Sequence, residues 1–387
     1  MITREIKNVF LTLLQKYPAI NLTGPRQSGK TTLVKMLMGD YNYFSLENPD
    51  TRLFAETDPR GFLQSAGERF ILDEVQNTPS LFSYLQEILD NSSISGKVIL
   101  LGSQSFFLNQ HISQSLAGRI ASLKLLPLSY AELENEGRIE ENIEEIMFKG
   151  GYPRLFNDDI EPIHFFPHYI ETYLQRDVRL LKNIENQISF VRFIKLCAGR
   201  IASILDLSSL ARDANIAVNT AKSWLSILEA SYIVYFVQPY SGNVNRRMIK
   251  SPKLYFYDTG LACSLLNIEY AKQLNTFYLR GNLFENFVLS ELLKSRYNRG
   301  LPPNFYFLRD SKGMEIDCIT EKPEGMRLVE IKLSETLTRE HIKNIISLKK
   351  LFPKTEDFVI YSGEEIQNFQ EVKFINWRKI GKIFSEH

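Results

Sequence analysis

The residues Gly24-Pro25-Arg26-Gln27-Ser28-Gly29-Lys30-Thr31-Thr32 satisfy the pattern G-x-x-x-x-G-K-[ST]. Two glycines at that spacing let the backbone curl until its N–H groups, and the N-terminus of a following helix, point at phosphate oxygens. Lys30 would then reach the β- and γ-phosphates. Thr31 would offer its hydroxyl to Mg²⁺, a cation that keeps most of its waters and takes few protein ligands. Gly24 through Thr32 are therefore expected to hold ATP and Mg²⁺. A glycine-rich turn matching by chance is the alternative; the flanking context argues against it, since an apolar run precedes the loop and a helical pattern follows.

Two further apolar runs end in polar residues. Arg69-Phe70-Ile71-Leu72 leads into Asp73-Glu74, where the first carboxylate would order the Mg²⁺ shell and the second would polarise the attacking water. A buried strand that merely turns acidic at the surface is the other reading of this pair. Val98-Ile99-Leu100-Leu101 opens into Gly102-Ser103-Gln104-Ser105. In an open parallel sheet such strand ends gather at the ligand crevice, so Ser103 or Gln104 would sense the γ-phosphate or the water, unless they form an ordinary polar loop. Arg119, in Leu116-Ala117-Gly118-Arg119, is a candidate for a charge-stabilising arginine supplied in cis or by a neighbouring copy; the alternative is a solvated arginine.

A second group of residues with chemical potential lies near the other end. In Leu328-Val329-Glu330-Ile331-Lys332-Leu333, Glu330 and Lys332 stand two apart and share one face of a strand. Asp317, one strand earlier, can lie beside Glu330. Two carboxylates on neighbouring strands make an oxygen-rich Mg²⁺ site, and a lysine beside them can position water or stabilise charge on a reacting phosphate. Glu285, on a preceding helix, adds a third carboxylate. This is the logic of a metal-dependent phosphodiesterase; an edge strand whose Glu and Lys face water is the alternative.

Apolar spacing supplies the elements that must position these groups. Glu5 to Lys16 reads as a helix, Ala19-Ile20-Asn21-Leu22 as a strand and Leu33 to Met38 as a helix. Glu132 to Glu145 carries seven glutamates and reads as a solvated helix or linker. Phe166 to Ile184 reads as a helix whose Arg176-Asp177 pair lies at a surface or interface. Leu207 to Ala214, a turn at Asn215 to Val218, and Asn219 to Ala230 have helix-turn-helix spacing. The β-rich runs Ile233 to Val237 and Lys253 to Tyr257 would flank a wing. Lys222, Arg246, Arg247 and Lys250 could bind DNA phosphates there, or the unit could serve packing and oligomerisation only. Gly281 to Tyr297 reads as a helix, followed by strands at 305–308, 315–319 and 328–333, a helix around 339–351 and a strand at 358–361.

The 387 residues suit two or three domains at roughly 150 residues each. Boundaries are expected at 1–135, 136–265 and 266–387. A hydrophobic share of 44% with 24% charged residues excludes disorder for most of the chain. The formal net charge of +1 gives no whole-chain attraction to nucleic acid or lipid, so any basic surface is local. Three distant cysteines, Cys197, Cys263 and Cys318, fit a reducing compartment rather than a disulfide framework or zinc cluster. With no apolar leader in Met1 to Lys7 and no long uncharged apolar run, the expectation is a cytoplasmic protein without membrane contact.

Taken together, Gly24–Thr32, Leu72-Asp73-Glu74, Leu116–Arg119, Gly150-Gly151-Tyr152-Pro153, Tyr173–Asp177, Asp258-Thr259-Gly260-Leu261, Phe284-Glu285-Asn286 and Val329–Lys332 carry a resemblance. The chain resembles bacterial and archaeal AAA-family ATP-binding proteins with a carboxy-terminal domain of unknown function, over nearly its whole length. The resemblance implies an α/β architecture: an AAA-like P-loop parallel sheet similar to archaeal AAA ATPases and origin-recognition-like proteins, a helical and winged-helix region, and a restriction-endonuclease-like α/β domain. Carried over, Glu285, Asp317, Glu330 and Lys332 match that nuclease pattern's E-D-ExK residues. Ser28 stands where relatives often have valine, a change that alters no phosphate contact.

The leading expectation is an Mg²⁺-dependent ATPase that binds ATP and ADP and acts on DNA, with a homo-oligomer as a candidate assembly. The runner-up is a nucleotide-dependent regulatory protein whose nuclease fold only binds. A third is an ATPase that remodels a protein partner.

Overall fold

The computed structural model describes residues 2–103, 115–139, 142–174, 187–242, 249–352, 354–364 and 367–383. Gln104, Arg176, Asp177, Arg246 and Arg247 lie outside the described residues.

Five strands of the first third form one parallel sheet: β1 (Ala19–Thr23), β2 (Asn42–Ser45), β3 (Phe70–Asp73), β4 (Val98–Gly102) and β5 (Ile120–Lys124), in the order β2-β3-β4-β1-β5. β1, β3 and β4 are buried along their whole length, which is why they read as continuous apolar runs rather than as alternating ones. One face packs on Phe62, Phe82 and Leu85, the other on Phe10, Leu33 and Val34. Because β4 lies between β1 and β3, with Thr23 opposite Gly102 and Asp73 opposite Leu101, the carboxyl tips of all three strands meet at one edge.

A buried arginine ties the chain's start to that edge. Arg4 donates from Nε to Glu132 (3.0 Å), from Nη1 to the carbonyl of Ser28 (2.7 Å) and from Nη2 to that of Leu126 (2.6 Å). Glu132 also accepts the Glu5 N–H and closes a capping box with Ser129. The acidic run 132–145 is therefore not a solvated linker throughout: Glu132 is 1% exposed and Glu144 is 4% exposed, the latter paired with Arg280. Charge density in the sequence does not reveal which glutamates have a distant arginine waiting for them.

In the middle, helices Gln187–Ala198, Leu207–Ala214 and Val218–Ala230 pack with a three-stranded antiparallel sheet of β6 (Ser203–Ile204), β7 (Val234–Val237) and β8 (Lys253–Phe256) in the order β6-β8-β7. Asp206 caps the second helix, and Asn215 ends it in the left-handed region at φ 56°. Trp224 sits edge-on between Phe190 (5.2 Å) and Phe193 (5.3 Å), while Lys222 and Lys250 are exposed. Earlier, the helix expected from Phe166 begins instead at Pro162, a residue preorganised for a first helical turn, and passes at Ile170–Leu174 into a wider π turn.

The long helix Arg280–Asn298 leads into a mixed sheet of β9 (Tyr306–Arg309), β10 (Glu315–Lys322), β11 (Gly325–Lys332), β12 (Thr355–Tyr361), β13 (Gln367–Phe369) and β14 (Val372–Asn376), ordered β13-β14-β12-β11-β10-β9. The stretch around 339–351 is a 3₁₀ turn, Arg339–Ile342, followed by the helix Lys343–Lys349. One buried cluster extends from Leu126 to Ile380, so the middle and last parts share a core. Cys197, Cys263 and Cys318 are buried and free. Among the described residues no helix is long and apolar enough to cross a membrane.

Removing one partner of a buried pair leaves its opposite charge unmatched. Arg4→Ala is expected to lower unfolding stability by about 3 kcal/mol; an unchanged urea midpoint would contradict the assignment of Arg4 as the clamp.

Candidate functional site

The loop after β1 is shaped by its glycines. Gly24 lies at φ +152°, and a Cβ there would come within 2.0 Å of the Leu125 carbonyl oxygen, so no side chain fits. Gly29, at φ +94°, turns the chain into the helix Lys30–Leu37. Pro25 and Ser28 are buried, Gln27 takes φ 60°, and Arg26 pairs with Glu47 at 3.1 Å. The Ser28 hydroxyl is buried with no hydrogen-bond partner among the described residues. Lys30 Nζ lies inside the loop and donates to the carbonyls of Gly24 and Pro25, each at 2.8 Å. Thr32 is exposed on the helix's first turn.

β3 delivers its two carboxylates to different neighbours. Asp73 accepts from Thr31 Oγ1 (2.8 Å) and from the Tyr43 hydroxyl (2.7 Å), which joins the loop to β2 and β3. Burial, reinforced by Asp73, pushes the Tyr43 phenol well up. Glu74 sits at φ 53°, a left-handed conformation uncommon outside glycine and asparagine. That turn directs its carboxylate to the tip of β4, where Ser103 Oγ donates to it at 3.0 Å, joined by Gln76 Nε2. A hydroxyl and a carboxylate in contact at the mouth of a phosphate loop are the hard oxygen donors that Mg²⁺ takes. Tyr43 does not stand out in the sequence, since β2 carries no strong apolar run.

Arg119 is not brought to this edge. It stands at the amino end of β5, where its carbonyl accepts the Ala19 N–H and its guanidinium pairs with Asp90. β5 runs parallel to β1, so about five residues at roughly 3.3 Å each separate Arg119 from the loop of its own chain. A contribution in cis is corrected by this placement.

The carboxy-terminal group does converge. Asp317 on β10 and Glu330 on β11 lie side by side, and Lys332 Nζ bridges them, 3.0 Å from Asp317 Oδ2 and 2.5 Å from Glu330 Oε2. The Ile331 N–H also donates to Asp317 Oδ2 at 2.8 Å. Glu285, on the long helix, accepts from Lys253 Nζ (2.9 Å) and the Tyr255 hydroxyl (2.6 Å), both from β8. Lys253 pairs with Glu315 as well. Neither Lys253 nor Tyr255 stands out in the sequence, because nothing in their spacing shows that β8 meets this helix.

Burial and the adjacent Asp317 charge push Glu330 well up, and the same two causes raise Glu285 to about 7. Asp317 is desolvated too, yet the Lys332 and Lys253 ammonium groups hold it below its ordinary value. Lys332 is raised by the two carboxylates despite its burial. Two buried carboxylates pressed together are an oxygen donor set suited to a hard cation. Among the described residues no three acidic, histidine or cysteine groups surround one point, so an ion here would take two protein ligands, Asp317 and Glu330.

Residues 16–134 match the AAA domain, residues 140–272 a domain of unknown function (DUF8612), and residues 280–380 another domain of unknown function (DUF4143). An uncharacterized protein of Mycobacterium tuberculosis is 30% identical over 333 residues, covering 84% of this chain and 72% of the relative. The chain belongs to the family of this mycobacterial protein and carries an AAA-type ATPase domain at residues 16–134. An uncharacterized protein of Haemophilus influenzae is 20% identical to the ATPase over 391 residues, 92% of this chain and 93% of that one. Among solved structures, the Walker-type ATPase of Pyrococcus abyssi is 17% identical with a TM-score of 0.41, covering 67% of this chain and 94% of that chain.

For the ATPase, Lys30→Ala is expected to weaken ATP binding at least about tenfold by removing charge-assisted hydrogen bonds; wild-type affinity by equilibrium dialysis would remove Lys30 from the phosphate site. Glu74→Gln is expected to keep ATP affinity and lose turnover about a hundredfold, read by phosphate release. At the second site the sign follows from the raised Glu285 value. The stability that a neutral Glu285 contributes is complete below its ordinary value near 4.5 and is lost as pH rises toward about 7. Glu285→Gln should therefore lose less urea stability than wild type between about pH 5 and about pH 7; parallel losses would contradict the raised value.

Proposed function

We propose that the protein is an Mg²⁺-dependent ATPase acting on DNA, whose nucleotide state moves a winged-helix region and a nuclease-like carboxy-terminal domain relative to one another. In this reading Thr31 and Asp73 hold the metal, which neutralises phosphate charge when bound. Gly24 through Thr32 cradle the phosphates, Lys30 contacts the terminal ones, Glu74 orients and deprotonates the attacking water, and Ser103 holds Glu74 in place. Arg119, facing away from its own loop, serves only the site of a second copy.

The observation that carries the DNA part is the convergence of Glu285, Asp317, Glu330 and Lys332 from one helix and two strands. Asp317 and Glu330 would hold a divalent cation that polarises a phosphodiester. Lys332 would orient water and stabilise charge on the phosphorus centre. Lys222 and Lys250 are exposed on the middle region and would meet DNA phosphates.

A specific observation favours a second reading, in which the nuclease fold only binds. Lys253 and Lys332 already neutralise these carboxylates, and Glu330 is 1% exposed. Such burial suits a structural ion-pair network. Purified protein incubated with supercoiled and linear DNA, with Mg²⁺, with and without ATP, separates the two. Cleavage abolished by Glu330→Ala supports the nuclease. No cleavage in any condition, with ATP turnover intact, overturns it in favour of the regulatory protein.

A further inference from the structure

Among the described residues three donors reach the Asp73 carboxylate. Its Oδ2 accepts from Thr31 Oγ1 at 2.8 Å and from the Tyr43 hydroxyl at 2.7 Å, while its Oδ1 accepts the Glu74 N–H at 3.0 Å. An ionised carboxylate offers about four lone-pair positions, two on each oxygen. Oδ2 therefore has none left, and one position on Oδ1 is open to a further partner.

Strand register and one helix face bring Tyr43 to this oxygen. Ser45 is the register partner of Asp73, and Tyr43, two residues earlier on β2, points to the same side of the sheet as Ser45. Its long side chain leans along the sheet to Asp73. From the other side Lys35 Nζ lies 3.5 Å from the centre of the Tyr43 ring, a cation over a π face. Thr31 and Lys35 stand four apart on the helix Lys30–Leu37 and share one face of it. The helix that follows the phosphate loop thus supplies one donor to Oδ2 and clamps the ring that carries the other.

Cations differ in what they ask of such a carboxylate. Mg²⁺ dehydrates reluctantly and keeps several waters, so a carboxylate can hold it through one of those waters, for which the open position of Oδ1 suffices. Ca²⁺ takes about six to eight oxygens and binds carboxylates directly, often through both oxygens at once. That mode needs Oδ2, which Thr31 and Tyr43 already fill. We propose that Tyr43 is a positioning residue that sets the metal preference of the phosphate site: by holding Asp73 Oδ2 it restricts the carboxylate to a water-mediated contact and so favours Mg²⁺ over Ca²⁺. The inference rests on the reading in which Thr31 and Asp73 hold the metal. Tyr43 acts through Asp73 and touches neither the nucleotide nor the ion.

The test measures binding of a non-hydrolysable ATP analogue to the full-length protein by calorimetry, with Mg²⁺, with Ca²⁺ and with EDTA. In the wild type Mg²⁺ is expected to strengthen binding more than Ca²⁺ does. Tyr43→Phe keeps the ring and removes the hydroxyl; it should shrink the ratio of Mg²⁺-supported to Ca²⁺-supported affinity about tenfold, the factor of one hydrogen bond to a charged group, and leave the affinity in EDTA unchanged. Lys35→Ala, at an exposed position, leaves the core intact and should move the ratio in the same direction by releasing the ring. A ratio unchanged in both variants, or a Tyr43→Phe loss of equal size with Mg²⁺, Ca²⁺ and EDTA, would overturn the proposal. Wild-type binding that ignores Mg²⁺ would remove the metal from Thr31 and Asp73 and overturn the underlying reading as well, whereas Mg²⁺-dependent binding with an unchanged ratio overturns the role of Tyr43 alone.

Discussion

A charge taken out of water has to meet its opposite, and four such meetings hold this molecule together. Arg4 meets Glu132, Arg280 meets Glu144, Lys294 meets Glu291, and Lys253 meets Glu315. Every one of these pairs lies where different parts of the chain touch, or on the helix that links them. Lys294 also donates to the Leu128 carbonyl, and Glu291 accepts the Tyr130 N–H at 2.7 Å. The long helix carrying Glu285 is thereby fastened to the segment that leaves β5, and β5 buttresses the phosphate loop. Apolar burial supplies cohesion, but it is not directional; these pairs supply register.

The phosphate site depends on sheet order in the same way. With β4 between β1 and β3, the Ser103 hydroxyl at the tip of β4 meets Glu74, while Asp73 accepts from Thr31. Their separation requires the left-handed turn at Glu74, a conformation that the surrounding bonds must sustain. Two carboxylates adjacent in sequence are thereby turned apart, one toward the phosphate loop and one toward the tip of β4.

The second acidic site is built on a different principle. Its carboxylates are buried against one another, and lysines from β8 and β11 restrain the repulsion. Because Lys253 and Tyr255 come from the middle region, displacement of that region would change the charge balance around Glu285. The tyrosine contacts run on from there: Tyr255 stacks on Tyr235 at 5.5 Å, Tyr235 meets Tyr257 in a tilted contact at 4.9 Å, and Tyr257 lies 5.6 Å from Tyr232, which holds Thr23. A packed aromatic path thus joins the two sites physically.

The phosphate loop was legible in the sequence because its chemistry is local: the glycines, Lys30 and Thr31 act through a single strand, loop and helix. Asp73-Glu74 was legible for the same reason, as were the paired helices of the middle region and the alternation that puts Glu330 and Lys332 on one face. What tertiary structure alone decided is everything that depends on distant partners. It made Glu132 and Glu144 interior residues, carried Arg119 to the far edge of the sheet, and brought Tyr43, Lys253 and Tyr255 to the two sites. Local pattern records what a residue can do with its neighbours in the chain; which charges are buried together is set only when the sheets and the long helix pack, because desolvation is a property of the assembled interior.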